Sequence, residues 1–190
     1  MRDGPLYLNA DLYYPLDASN SLKTIVLGSG FGGTGAYMSG WAEYFASHGV
    51  IAATIDYNDA ENDSHGQRGE AMLDLIKTIK LENSRELSPV FNQVDTLKFA
   101  AGGHSMSGGA AVNAALLDSS QVLSAIISLN PTVIFEDCDL CNGSEYCICF
   151  VPEFVENQTV PILIISGEDE VLELISYDGM LGIDIYENHP

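Results

Sequence analysis

The sequence predicts an α/β protein with a mostly parallel sheet and helices on both faces. Short, nearly all-apolar segments alternate along the chain with segments of helical periodicity. Strands that are apolar on both faces are typical of parallel sheets buried between helices. The chain has 190 residues, 46% of them hydrophobic, and no repeat or long linker divides it. We therefore expect a single domain over residues 1–190.

The strands are predicted from short runs rich in β-branched and aromatic residues, several of which end in glycine or asparagine. In chain order these runs cover residues 6–15, 23–30, 50–58, 97–103, 122–130 and 160–167.

The helices are predicted from apolar residues recurring at helical spacing. They are expected at residues 36–49, 66–82, 106–117 and 171–181. The second is the clearest, since Met72, Leu75, Ile76 and Ile79 fall on one face.

The composition excludes several classes of partner. Seven Lys and Arg against 27 Asp and Glu give a formal charge of −20, which repels phosphate backbones, so we expect no nucleic-acid partner. No apolar run reaches membrane-spanning length, and the first residues, MRDGPLYLNA, lack a signal-peptide core. We expect no cofactor and no metal in the active site.

Three polar or glycine-rich stretches follow predicted strands. They are GSGFGG (28–33), GGHSMSGG (102–109) and SGEDE (166–170). Because functional loops of parallel α/β sheets lie at the carboxyl ends of the strands, we expect these stretches to form the site.

The segment FAAGGHSMSGG indicates a nucleophile elbow, with Ser105 on a sharp turn between a strand and a helix. Such a turn needs small residues two positions before and after the serine, and Gly103 and Ser107 are both small. The pattern departs from Gly-x-Ser-x-Gly at Ser107. The helix begins at Met106, so its first N–H groups point toward the serine.

Taken together, these motifs resemble the α/β-hydrolases of the bacterial cutinase, polyester-hydrolase and dienelactone-hydrolase-like group. The similar segments are LGSGFGGTGAYMSGWAEYFASHGVIAATIDYN, DSHGQRG, VDTLKFAAGGHSMSGG and VPILIISGEDE. The resemblance covers roughly residues 4–132 and 160–190. It implies an α/β-hydrolase fold with Ser105 as nucleophile and the N–H groups of Met106 and Phe31 as the oxyanion hole.

The resemblance also implies a carboxylate in the SGEDE loop. The family's acid falls on Glu170 by position, whereas its usual type, aspartate, favours Asp169; Glu168 precedes them. At Pro131-Thr132 the family commonly has Pro-Trp, with the ring in the cleft for aromatic substrates. Thr132 therefore weakens the expectation of an aromatic polyester substrate.

The general-base histidine is the open question, since the chain has four histidines. His48 is expected to cap a helix, His65 to be exposed in a polar loop, and His104 to be directed away from the serine. Only His189 follows the acid, as the order Ser, acid, His requires.

The last residues, GIDIYENHP, allow two interpretations. They form a last strand followed by His189 as the base, or they resemble the family's helix after the acid loop. The second is favoured, and the catalytic histidine is then expected beyond residue 190.

Residues 131–159 are expected to form a lid-like excursion containing all four cysteines. These are Cys138, Cys141, Cys147 and Cys149. Disulfides are favoured, with free thiols and a metal site as alternatives. Disulfides indicate a secreted protein, and reduced thiols a cytoplasmic one.

The sequence thus predicts a serine hydrolase that cleaves carboxylic esters of the lipid or polyester type through an acyl-enzyme on Ser105. The alternative is a catalytically impaired or non-catalytic binding protein of the same fold.

Overall fold

A six-stranded sheet forms the centre of the structure, a computed structural model that describes residues 5–17, 21–134, 158–167 and 179–190. Its strands are β1 (Tyr7–Tyr13), β2 (Leu22–Gly28), β3 (Ile51–Tyr57), β4 (Val94–His104), β5 (Leu123–Leu129) and β7 (Ile162–Ile165). The order is β1-β3-β2-β4-β5-β7. Only β1 is antiparallel, to β3, whereas all other neighbours are parallel. The predicted mostly parallel sheet is therefore confirmed.

Helices cover both faces of this sheet. A 3₁₀ turn (Gly35–Met38) and α1 (Ser39–Ser47) lie on one face, and α2 (His65–Glu82) and α3 (Met106–Leu117) lie on the other. Successive residues of β2 show the alternation, because Ile25 belongs to the same buried cluster as Met38, whereas Val26 belongs to the cluster that contains Met72. None of the described helices is both long and apolar enough to cross a membrane.

A second, two-stranded sheet pairs β6 (Thr132–Ile134) with β8 (Gly179–Leu181) in antiparallel register. The prediction of a helix over residues 171–181 is wrong at its end, because residues 179–181 pair with β6 instead. Residues 171–178 lie outside the described part. Helix α4 (Gly182–Asn188) follows, so the interpretation of the last residues as a strand is also wrong.

The parallel register brings the predicted functional loops to one edge of the sheet. Gly28 at the end of β2 is paired with Gly103 of β4. His104 of β4 is paired with Leu129 of β5, and Leu129 is paired with Ile165 of β7. The carboxyl ends of these strands therefore lie at the same level. The loops after β2, β4 and β7 therefore all begin at the same edge.

Candidate active site

Ser105 occupies the sharp turn between β4 and α3. Its backbone has φ 54° and ψ −121°, a combination that non-glycine residues rarely adopt and that costs about 1–3 kcal/mol. The Ser105 N–H donates to the Leu129 carbonyl at 2.9 Å, and the Ser105 carbonyl accepts from Gly108 at 2.9 Å and from Thr132 at 3.1 Å. The turn is thus fixed by the helix on one side and by the segment after β5 on the other.

Small residues allow the strand and the helix to meet at this turn. A Cβ on Gly103 would lie 2.5 Å from the Gly28 carbonyl oxygen and 2.7 Å from the Ser107 Cβ. A Cβ on Gly30 would lie 3.1 Å from the Ser105 Cβ. Glycine is therefore required at position 103 for β2 and the elbow to approach one another, and a side chain at position 30 would press on Ser105.

Two backbone N–H groups beside Ser105 have no acceptor of their own in the described structure. Met106 is the first residue of α3, where an N–H has no intrahelical partner. The Phe31 N–H donates to no other described group, although its neighbour Gly32 donates to the Ala60 carbonyl at 2.7 Å. Gly32 has φ +64°, which suits glycine and turns the loop back toward β3.

A cleft of about 470 Å³ opens above Ser105. Three aromatic side chains line it and remain partly open to solvent: Phe31 (69% exposed), Tyr37 (78%) and Trp41 (40%). Exposed rings beside a strained serine suit an uncharged, apolar ligand.

The predictions for His48 and His104 have different outcomes. His48 is the C-cap residue of α1, as expected, and its Nδ1 lies 2.9 Å from the Tyr44 carbonyl oxygen. His104 lines the cleft beside Ser105, so the prediction that it is directed elsewhere is wrong. His104 and Ser105 are neighbours at the end of β4, and no hydrogen bond joins their side chains in the described structure.

His189 does not lie near Ser105. It follows α4, and its Nε2 lies 3.2 Å from the carbonyl oxygen of Val160, which precedes β7. Ser105 instead follows His104, which is level with Leu129 and through it with Ile165 at the carboxyl end of β7. Val160 and Ile165 are five positions apart along a segment that ends in β7, which is roughly 16 Å where the chain is extended. The structure therefore places His189 toward the opposite edge of the sheet.

The other predicted partners lie outside the described residues. This holds for Glu168, Asp169 and Glu170 of the acid loop and for the four cysteines of the excursion. The acid loop does begin at the edge that carries Ser105, and the Gly167 N–H donates to the Asn130 side chain at 2.8 Å.

His65 is a supporting residue that the sequence did not indicate. It is 4% exposed, so the prediction of an exposed loop histidine is wrong. Its Nε2 lies 2.7 Å from the Thr132 carbonyl oxygen, and the Thr132 N–H donates to Ser105. Burial lowers the pKa of His65 from 6.5 to about 4, so the neutral ring donates through Nε2. The partner lies 67 residues away, so no local pattern could reveal it.

Comparison with known families adds a second line of evidence. A family described as PET hydrolase-like matches residues 6–137. The matched range contains Phe31, Ser105 and Met106 but none of Asp169, Glu170 and His189.

Several bacterial cutinases are similar to this chain. Cutinase est1 of Thermobifida alba is 32% identical over 122 residues, which is 63% of this chain and 38% of that protein. Cutinase 2 of Thermobifida cellulosilytica is 31% identical over 63% of this chain and 43% of its own length. Cutinase cut1 of Thermobifida fusca is 31% identical over 63% of this chain and 35% of its own length. The match thus spans less than half the length of these relatives.

The buried His65 predicts a pH-dependent stability. The pKa of His65 in the folded protein is about 4, below the ordinary 6.5. Between these two pH values, the unfolded chain therefore binds a proton that the folded chain does not bind. Stability is therefore lost as the pH falls from 6.5 toward 4. The variant His65→Gln retains a donor for the Thr132 carbonyl. Between pH 7 and 4.5, we expect its free energy of unfolding to fall by about 2–3 kcal/mol less than that of the wild type, as measured by urea unfolding.

The control is His48→Gln, which changes an exposed histidine and leaves His65 intact. It should retain the wild-type dependence. Parallel stability curves for the wild type and His65→Gln would show that His65 is not buried in its neutral form.

Proposed function

The chain belongs to the PET hydrolase-like family, and we propose that it cleaves carboxylic esters through an acyl-enzyme on Ser105. The observation that carries the proposal is the strained turn at Ser105, with φ 54°, between β4 and α3. Such a turn exposes a serine hydroxyl above the sheet, beside the first N–H groups of a helix. Strain held at one serine at the base of an apolar cleft supports a nucleophile.

The proposed reaction proceeds in two steps. The Ser105 Oγ attacks the ester carbonyl carbon and loses its proton to a general base, and the carbonyl oxygen becomes an oxyanion. The N–H groups of Phe31 and Met106 donate to this oxyanion. The C–O bond to the alcohol breaks as the base returns the proton to the leaving oxygen. Water then hydrolyses the acyl-enzyme by the same route.

The proposed acid and the proposed base of the triad rest on different observations. Asp169 or Glu170 is proposed as the acid, because the loop containing them begins at the edge of the sheet that carries Ser105. His189 lies toward the opposite edge. We therefore propose that the full-length protein supplies the base from a histidine other than His189.

The cleft favours neutral esters with apolar parts, such as lipids or polyesters. Its exposed rings, Phe31, Tyr37 and Trp41, offer stacking surfaces. The net charge of −20 disfavours anionic substrates. The names of the cutinase relatives agree with an ester substrate.

Covalent labelling tests the nucleophile. We expect a fluorophosphonate probe to modify the full-length protein at Ser105, because an activated serine attacks phosphorus as it attacks an ester carbonyl. Mass spectrometry of the labelled peptide identifies the site.

The matched controls are Ser105→Ala, which should abolish labelling, and Ser124→Ala, which should not, because Ser124 lies at the start of β5. An unlabelled wild type with an intact fold would contradict the proposal and favour the non-catalytic binding protein.

The single tryptophan reports directly on the cleft. Trp41 is the chain's only tryptophan and lines the cleft with Ser105. We expect a soluble neutral ester such as ethyl butyrate to change its fluorescence in Ser105→Ala, which binds without turnover. Tyr37→Ala in that background should weaken the affinity about two- to tenfold through loss of ring contact.

Tyr186→Ala serves as the control, since this similarly exposed tyrosine lies on α4 and is not part of the cleft lining. Equal affinity in the Tyr37 and Tyr186 variants would place the ester elsewhere.

A further inference from the structure

Three buried polar side chains lie beneath the loop that carries Phe31. Tyr57 is 2% exposed, and Arg68 and Ser107 are fully buried. Burying a guanidinium and two hydroxyls is unfavourable unless each finds hydrogen-bond partners. The atoms that they bind therefore show what the cluster holds in place.

Arg68 binds backbone carbonyls. Its Nη1 donates to the Ser29 carbonyl at 3.2 Å, its Nη2 to Ala60 at 2.6 Å and its Nε to Asp63 at 3.1 Å. The guanidinium also lies 4.4 Å from the centroid of the Tyr57 ring, a cation–π contact. Among the described residues, no carboxylate lies within ion-pair distance of it. The planar fork thus joins separate loops.

Hydrogen bonds anchor the loop on both sides of Phe31, at the Ser29 carbonyl and at the Gly32 N–H. The Ser29 carbonyl is held directly by Arg68, and the Ala60 carbonyl accepts both from Arg68 and from the N–H of Gly32 at 2.7 Å. Phe31 lies between Ser29 and Gly32, and its own side chain is 69% exposed. The orientation of its N–H is therefore set by the flanking anchors and not by its ring.

Ser107 ties the same loop to the elbow. Its hydroxyl donates to the Ser29 carbonyl, and the Tyr57 hydroxyl lies 2.8 Å from it. A serine hydroxyl has one proton, so Tyr57 is the donor in the second bond. Burial raises the pKa of Tyr57 to about 12, so the phenol keeps the proton that it donates.

We propose that Arg68 and Ser107 are positioning residues that hold residues 29–32, and so aim the Phe31 N–H at the reacting carbonyl oxygen. The proposal rests on the proposed function of Ser105. It gives a role to the serine that replaces the second glycine of the elbow, because its hydroxyl links α3 to the loop after β2.

The first readout is independent of catalysis. Ser107→Ala and Arg68→Lys should accelerate hydrogen exchange of the Gly32 amide about tenfold, measured by NMR, because each variant loosens an anchor of the loop. Ser128→Ala is the matched control: it also removes a fully buried hydroxyl, one that donates to the Gly108 carbonyl at 3.0 Å, outside this loop. It should leave Gly32 unchanged.

The second readout compares kcat/KM for an ester with that for its thiono analogue in the full-length protein. Loss of an oxyanion donor slows the oxygen ester more, because sulfur accepts hydrogen bonds weakly. We expect the ester-to-thionoester ratio to fall about tenfold in Ser107→Ala and Arg68→Lys and to stay constant in Ser128→Ala. A general loss of folded protein would lower both rates equally.

The outcomes are distinguishable. Unchanged Gly32 exchange in both variants overturns the proposal, and so does accelerated exchange with a constant ester-to-thionoester ratio. If the wild type turns over neither substrate while the variants still accelerate Gly32 exchange, the failure lies in the proposed function of Ser105, and the catalytic role of the two residues falls with it. Should Arg68→Lys fail to fold, Ser107→Ala alone decides.

Discussion

The backbone of Ser105 is held in a conformation that an isolated serine avoids, and the surrounding contacts are arranged around it. A cost of about 1–3 kcal/mol persists only where neighbouring structure fixes it. Here the Ser105 carbonyl accepts hydrogen bonds from Gly108 of α3 and from Thr132 of β6, while its N–H donates to Leu129 of β5. Three elements thus fix one residue. The glycine at position 103 matters for the same reason, because a side chain there would separate β4 from both β2 and α3.

Support for this turn extends outward through buried polar groups. His65 holds the Thr132 carbonyl, and Arg68 and Ser107 hold the Ser29 carbonyl. All three are buried, where a hydrogen bond is stronger than in water and an unpaired group is costly. The elbow and the loop that faces it are consequently fixed from beneath, while the cleft above stays open and apolar. Such an arrangement suits a site that keeps N–H donors in place before a substrate arrives.

Local pattern predicted the strands and the elbow, because apolar β-branched runs and clusters of small residues act over a few positions. It failed where the partner is distant in sequence. His65 looked like a loop residue because its acceptor, Thr132, comes from another strand. The end of the predicted 171–181 helix pairs instead with β6, a three-residue strand too short to predict from periodicity. Likewise the buried cluster around Arg68 joins residues from three elements that only the fold brings together.

The central claim is that Phe31 and Met106 donate to an oxygen of the group bound covalently to Ser105. A crystal structure of the full-length protein after reaction with a fluorophosphonate tests it directly, since the phosphoryl oxygen occupies the place of the oxyanion. The account predicts this oxygen within about 3.2 Å of both backbone nitrogens, with residues 29–32 placed as in the unreacted protein. A phosphoryl oxygen that points to solvent, or an adduct on another residue, would contradict it.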